Sequence, residues 1–384
     1  MTLPDDKPAV AEKANAPATM TSRRGVMAGT AAGMVGAGLL AANQPAQALV
    51  GVPLRMPLPP PALAPRSELV NVFEYEDQAR LVVGPVKMAP AQGSDRTVTD
   101  RITLRPRMNI PTRDLDLTTS LFGDQHFTPI IVGPMADQKR FHPEGEVATA
   151  RGASAAKAAM VVSSDSSTPL AAIAQATTSP LWLQVYAGSP KIKDRLAEAD
   201  AAKARAVIVT VNAGSSANAP TTPDAARIDW AAIDAVVKVT SLPVIVKGIT
   251  HPQDAKEAVA RGAKGVVVSN YRGGNAAALK GTLLLVAPVV QAVGGQVPVL
   301  VDGSFRYGSD ILKALALGAK GVLIGRPILW GLAAYGADGV QGVVELLQTD
   351  LARIMAMCGR VNLAAVNDSL VRIHAPLPPV KHNG

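Results

Sequence analysis

The sequence predicts a single (β/α)₈ TIM barrel. Three observations lead there: eight short apolar runs in succession, Ala-rich segments of helical period between them, and polar residues at the ends of the runs. The runs occupy 129–134, 158–163, 181–186, 206–211, 243–247, 265–269, 298–302 and 321–325. Each is bounded by Gly, Pro or polar residues, as short buried strands are. Successive starts lie roughly 20 to 37 residues apart, enough for a strand, a crossover helix and two loops. A doubly wound open sheet uses the same units. The count of eight and the polar strand ends favour closure.

The intervening segments carry helix stop signals. Residues 254–261 (Asp-Ala-Lys-Glu-Ala-Val-Ala-Arg) run into Gly262-Ala263, and residues 310–317 run into Gly318-Ala319. A glycine directly after the last turn is a C-cap signal, so two units share one helix-to-strand connection.

Composition agrees with one large buried core in 384 residues, 48% of them hydrophobic. Aromatic residues make up only 3%, which suits Val- and Ala-rich strands and does not suit a surface that stacks nucleic-acid bases. The net charge is +8, of which residues 1–48, with four basic and three acidic groups, supply +1 and the remainder +7. No Lys/Arg run is interleaved with aromatics, so ordinary surface charge is the plain reading and no nucleic-acid partner is expected. Cys358 is the sole cysteine, which excludes an intramolecular disulfide and a Cys-based metal cluster. The histidines stand at 126, 142, 251, 374 and 382, none paired at metal-ligand spacing.

The amino-terminal region reads as an export signal. Thr21-Ser22-Arg23-Arg24-Gly25-Val26-Met27 precedes an uncharged small-residue stretch from Ala28 to Ala42, and Ala46-Gln47-Ala48 is a small-x-small cleavage pattern. A membrane anchor is the competing reading, but the stretch is too short and too weakly apolar to span stably. The expected organisation is a twin-arginine signal at 1–48, a Pro-rich linker or arm at 49–70 and the barrel at 71–384, in a periplasmic or otherwise exported protein. Export of this kind carries folded proteins, which favours a cofactor bound before export.

In such a barrel the site forms where the strands end. The residues there are Pro134, Met135 and Ala136, Ser163 and Ser164, Gln184 and Tyr186, Thr210 and Asn212, Lys247, Ser269 and Asn270. The seventh and eighth runs end in Asp302-Gly303-Ser304, with Arg306 beyond, and in Gly325-Arg326. Glycines there let the backbone approach an anion and arginine supplies a charged fork, at the usual phosphate position of the fold. Lys247 closes a Val-Ile-Val-Lys run, which places an ammonium where negative charge on a reduced ring or an enolate needs stabilising.

These residues resemble the FMN-dependent α-hydroxy-acid oxidase and dehydrogenase family, which includes glycolate oxidase and lactate oxidase, over about 72–371. The matching stretches are Leu104-Arg105-Pro106-Arg107, His142-Pro143-Glu144-Gly145-Glu146, Leu183-Gln184-Val185-Tyr186, Lys247-Gly248, Val268-Ser269-Asn270, Val301-Asp302-Gly303 with Arg306 and Gly308, and Gly325-Arg326-Pro327. The resemblance implies FMN as cofactor. Ser163 or Ser164, Gln184, Thr210, Lys247 and Ser269 then contact the flavin ring, while Asp302, Gly303, Ser304, Arg306, Gly325 and Arg326 contact the ribityl chain and phosphate. Pro134, Met135 and Ala136 belong to the same cofactor set, and Tyr186 becomes a substrate-side tyrosine.

Departures from the family cluster on the substrate side. The family follows Ser-Asn with His-Gly-Gly-Arg, its base and its substrate-carboxylate arginine, whereas this chain reads Ser269-Asn270-Tyr271-Arg272-Gly273-Gly274-Asn275. Tyr271 takes the base position, and a phenol with an ordinary pKa near 10 is a poor base at neutral pH. Gly274 falls where the family's arginine would be, unless Arg272 swings in to replace it. Between Asn212 and the next helix no arginine precedes Arg227, and the Tyr-Tyr-x-x-Gly stretch of the family is replaced by Lys87-Met88-Ala89-Pro90-Ala91-Gln92-Gly93.

The expected activity is therefore hydride transfer from a small substrate, a 2-hydroxy acid or a variant of one, to flavin N5. Tyr271, Lys247, Arg272 and Tyr186 form the catalytic set, and oxygen or a respiratory carrier serves as acceptor. A homo-tetramer is the family expectation. Two rivals remain: an FMN-binding periplasmic protein without turnover, and a phosphate-binding barrel of another activity, such as an isomerase.

Overall fold

The computed structural model describes residues 62–91, 96–107, 113–211, 228–271 and 281–375. These belong to the unit Pro59–Gly384. The export signal and the first part of the linker lie outside the described residues.

In chain order the elements begin with helix α1 (Val72–Met88), strand β1 (Ile102–Leu104), the pair β2 (Thr119–Leu121) and β3 (Asp124–His126), and strand β4 (Ile130–Val132). Alternation follows: α2 (Gly145–Ala155), β5 (Met160–Ser163), α3 (Leu170–Gln175), β6 (Leu181–Tyr186), α4 (Ile192–Ala201), β7 (Ala206–Thr210), α5 (Trp230–Val239) and β8 (Val244–Ile249). The chain closes with α6 (Pro252–Ala260), β9 (Gly265–Val268), α7 (Leu283–Val293), β10 (Val299–Asp302), α8 (Gly308–Ala316), β11 (Gly321–Ile324), α9 (Arg326–Met357) and β12 (Val371–Ile373).

Strands β4 to β11 form a closed barrel in the order β10-β11-β4-β5-β6-β7-β8-β9, parallel throughout. Every run read from the sequence is a barrel strand. The first is shorter than its 129–134 run, while β8 continues past Lys247 to Ile249 across a register shift at Gly248, whose φ is +113°. The two glycine stops also behave as read: Gly262 and Gly318 follow α6 and α8 with φ of +92° and +102°, a conformation that a side chain disfavours. At the other end of the chain's helices, Asn71 caps α1 by accepting from the Phe73 and Glu74 amides.

Two apolar layers follow from the two-residue period of the strands. Ile131, Val161, Trp182, Ile208, Ile245, Val267, Leu300 and Leu323 point inward and fill the barrel. Their neighbours, such as Val132, Val162, Leu183, Val209, Val246 and Val301, point outward under the helices. The amino end of the barrel is plugged by the β2–β3 hairpin, whose Phe122 ring meets Trp182 edge-on at 5.3 Å. A Cβ on Gly265 would sit 2.8 Å from that ring, so glycine is required for the plug to seat.

Helix α9 bends at Tyr335 and Gly336 and packs against α1, α2 and α8. β1 pairs with β12 antiparallel, tying the entry of the barrel to the chain's last described strand. Among the described residues no helix is long and apolar enough to cross a membrane.

Candidate active site

The inward layer extends directly into the site. A residue two positions beyond an inward core residue faces the same way, so Ile131 leads to Gly133, Val161 to Ser163, and Trp182 to Gln184 and Tyr186. By the same step Ile208 leads to Thr210, Ile245 to Lys247, Val267 to Ser269, Leu300 to Asp302 and Leu323 to Gly325. The ladder register levels them: Ser163 pairs with Gln184, and Tyr186, Thr210 and Lys247 are successive Cα partners on β6, β7 and β8. Among the described residues, Ser163, Gln184, Tyr186, Thr210, Lys247, Ser269 and Asp302 thus form one ring at the carboxyl mouth.

Hydrogen bonds join the ring. Gln184 Nε2 donates to Thr210 Oγ1 at 3.0 Å, and the Asp165 amide donates to Ser163 Oγ at 3.1 Å. Ser164 donates its amide to the Gln184 carbonyl. Lys247 is 3% exposed, donates to Ser269 Oγ at 2.9 Å and lies 2.8 Å from Asp302 Oδ2. Its Nζ also lies 5.1 Å from the centroid of the Tyr271 ring, in cation–π range. The Tyr271 amide donates to Ser269 Oγ, and its side chain is 42% exposed, facing the opening.

Tyr186 is buried beside this group. Burial first, then the Tyr271 phenol and the Asp165 carboxylate, push its phenol above the ordinary value, against hydrogen bonds with Ser163 and Gln184. Tyr186 therefore keeps its proton at neutral pH and can donate a hydrogen bond. The mouth offers a buried cation and phenols.

The other side of the mouth is built for an anion. Burial pushes Arg306 down to about 9, and the Arg326 guanidinium beside it adds to the effect. Arg326 is itself lowered by burial, with Asp302 acting against it. Glu76 offsets part of this for both guanidiniums and Asp310 for Arg306, and two adjacent, largely buried guanidiniums are chemically suited to an anion. Next to them the backbone is open: a Cβ at Gly325 would meet nothing within 4 Å. Gly303 and Ser304 turn with φ of +108° and +61°, directing this segment around the opening. Arg306 lies over the Trp330 ring at 4.7 Å and donates to the Phe305 carbonyl. A planar ring needing a cation at one end and a phosphate at the other matches these residues, so the donor set fits FMN.

Comparison with known proteins agrees. The family model described as FMN-dependent dehydrogenase matches residues 90–221 and 212–373. The chain belongs to the FMN-dependent dehydrogenase family. It is 33% identical to a peroxisomal (S)-2-hydroxy-acid oxidase of Oryza sativa subsp. japonica, over 79% of this chain and 95% of that protein. It is 33% identical to an L-lactate oxidase of Nostoc sp., over 80% and 99% respectively. A crystal structure of mandelate oxidase with (S)-2-phenylpropionate is 34% identical, covers 80% of this chain and 100% of that one, and superposes with a TM-score of 0.71. FMN is the cofactor of this family member, which removes the reading of a barrel that holds a phosphorylated substrate in its place.

Within this dehydrogenase the expected Arg272, Asn212 and the loop to residue 227 lie outside the described residues. Pro134, Met135 and Ala136 follow β4, with Met135 buried and its carbonyl accepting from Gln138 Nε2.

Sequence reading missed the supports behind the site. Glu146 is fully buried and accepts from the Gln138 and Ser167 amides and from the Ser167 and Thr168 hydroxyls, holding the loop after β5 to the turn before α2. Asp310, also fully buried, accepts from the Arg306 and Tyr307 amides and from Arg96. Thr282 donates to the Asp302 carbonyl at 2.5 Å. Asp310 had a signal, an acid in the first turn of a helix, but Arg96 had none, because its partner is 214 residues away.

Proposed function

We propose that the protein oxidises a small 2-hydroxy acid or a near variant of one, its α-hydrogen leaving as hydride toward flavin N5. The observation that carries this reading is Lys247, a buried cation held by Ser269 and Asp302 with its Nζ toward Tyr271. Bound FMN supplies the hydride acceptor. Relatives named as 2-hydroxy-acid, lactate and mandelate oxidases support the substrate class.

Lys247 would stabilise negative charge on bound FMN, in a place where few solvent dipoles compete. Gln184, Thr210, Ser163, Ser164 and Ser269 would hydrogen-bond the ring of bound FMN, and Pro134, Met135 and Ala136 would back it. Asp302 would serve the ribityl chain; Gly303, Ser304, Arg306, Gly325 and Arg326 would hold the phosphate. On the open side Tyr186 donates to the substrate, Arg272 meets its acid group, and Tyr271 orients its hydroxyl, whose proton leaves to water. A bare phenol takes that proton poorly at neutral pH, so turnover is slow with an ordinary 2-hydroxy acid.

Oxygen or a respiratory carrier reoxidises the flavin, the chain is exported by its twin-arginine signal to the periplasm, and it assembles as a homo-tetramer. Tyr271 also favours a second reading, an FMN-binding periplasmic protein without turnover. Anaerobic mixing of the FMN-loaded protein with a panel of 2-hydroxy acids separates the two. Bleaching of the flavin band supports oxidation; an unchanged spectrum with every acid supports the silent reading.

A further inference from the structure

Arg96 stands outside the barrel mouth, yet its guanidinium is bound into the segment that carries Arg306. Its two terminal nitrogens donate to Asp310 at 2.6 and 3.0 Å, a planar fork on a carboxylate that is wholly buried. One oxygen of that carboxylate also accepts from the Arg306 and Tyr307 amides, both at 3.0 Å. The same guanidinium lies over the Tyr307 ring, 4.9 Å from its centroid. Burial of Asp310 without Arg96 would leave a carboxylate in an apolar place, bonded only to neutral donors and Lys313's field.

A second tether reaches Arg306 from the same stretch of chain. Its guanidinium lies over Trp330, whose indole N–H donates to the Ala91 carbonyl at 2.8 Å. Residues just before and after 92–95 therefore hold Arg306 twice, through its backbone by Asp310 and through its side chain by Trp330. Charge matters here as well as shape, since burial and the neighbouring Arg326 both push Arg306 down.

We infer that Arg96 is a positioning residue for the phosphate end of FMN: through Asp310 it fixes Arg306 beside Arg326, and so sets how tightly the phosphate is kept. This rests on the phosphate lying at Arg306 and Arg326. Among the described residues Arg96 bonds to Asp310 and Asp100 and lies over Tyr307, none of them a ring-contact residue, so its effect falls on FMN and not on a flavin that lacks phosphate.

The test uses the full chain loaded with FMN or with riboflavin, and follows flavin release on dilution by recovered fluorescence. Arg96→Gln is expected to speed FMN release on the order of tenfold, the lower end of what loss of a supporting partner does, while riboflavin release changes less than twofold. Equal acceleration for both flavins, or none for either, overturns the inference. If Arg96→Gln does not fold, Arg96→Lys is read in the same way, since it keeps the charge and loses the fork. Arg326→Gln in the same assay addresses the phosphate position itself. If that variant leaves the FMN-to-riboflavin ratio intact, the placement fails and the inference falls with it; if it moves the ratio and Arg96→Gln does not, only the inference fails.

Discussion

Lys247 and Asp302 meet at 2.8 Å although their strands, β8 and β10, are separated by β9. Ser269, which follows β9, fills the gap by accepting from the same ammonium at 2.9 Å. Three adjacent strand ends are thus joined by one buried cation. Replacing Lys247 by Met should lower substrate-driven flavin reduction by about 10² to 10³, the usual effect of removing one charge-stabilising donor. Stopped-flow absorbance at the flavin band measures it. Pairing is tested on folding: Lys247→Met with Asp302→Asn should be less destabilised in urea than the two single costs summed, by about 0.5–3 kcal/mol. Strict additivity would mean the ion pair contributes nothing.

Arg306 illustrates a conflict between stability and binding. A guanidinium pushed down to about 9 by burial and by Arg326 is held at a cost in the absence of a bound anion. Arg306→Met should leave the flavin-free chain as stable as before, or more so, while FMN affinity falls by about 1.5–3 kcal/mol. Thermal melts without flavin and fluorescence titration with FMN give the two numbers. A variant that melts lower and binds FMN unchanged would contradict the anion site.

Most of this mouth was legible because both periods involved are short. The strands repeat every two residues, so a polar residue two beyond an apolar inward one had to face the mouth, as Ser163, Thr210, Lys247 and Ser269 do. The helix stops at Gly262 and Gly318 are equally local. What escaped were contacts made by chain closure. Arg96 meets Asp310, Phe122 enters the barrel under Trp182, and β1 finds β12 at the far end of the chain. No spacing encodes those encounters, which depend on where the closed barrel brings distant segments.

Gly331 and Gly339 face each other across the bend of α9, and a Cβ on either would run into the other's backbone carbonyl. Backbone cannot yield as a side chain does, so Gly339→Ala should cost at least about 1–3 kcal/mol. Urea unfolding of the FMN-loaded protein reads it. An unchanged midpoint would show that the two halves of α9 do not touch there.

His126 ends the hairpin that plugs the barrel, buried against Trp182 with ring centroids 5.9 Å apart. Among the described residues its Nε2 has no hydrogen-bond partner, and burial holds its pKa below the ordinary value, with Asp124 acting against that. The unfolded chain then takes up a proton, as pH falls through about 6.5, that the folded chain refuses. Stability attributable to His126 is intact above that value and declines below it, until the folded group also protonates. Urea midpoints at pH 7.5 and 5.5 should differ less in His126→Phe than in the parent. An equal difference in the two would remove His126 from the acid response.

Tyr271 stands where the resemblance puts the family's histidine base. Its ring faces the opening within 5.1 Å of Lys247 Nζ, where an imidazole base could be carried on the same backbone position. Tyr271→His should therefore speed flavin reduction by 2-hydroxy acids by about 10² or more, the ordinary yield of a placed general base. The rate should also acquire an inflection near pH 6.5 that the parent lacks, rising with pH as imidazole loses its proton. Single-turnover reduction measured from pH 5 to 8.5 provides both quantities. If the variant binds FMN normally and still fails to react with any acid, a base was not the missing part. Substrate capture would then be limiting, and Gly274→Arg in the same background is the next substitution to read.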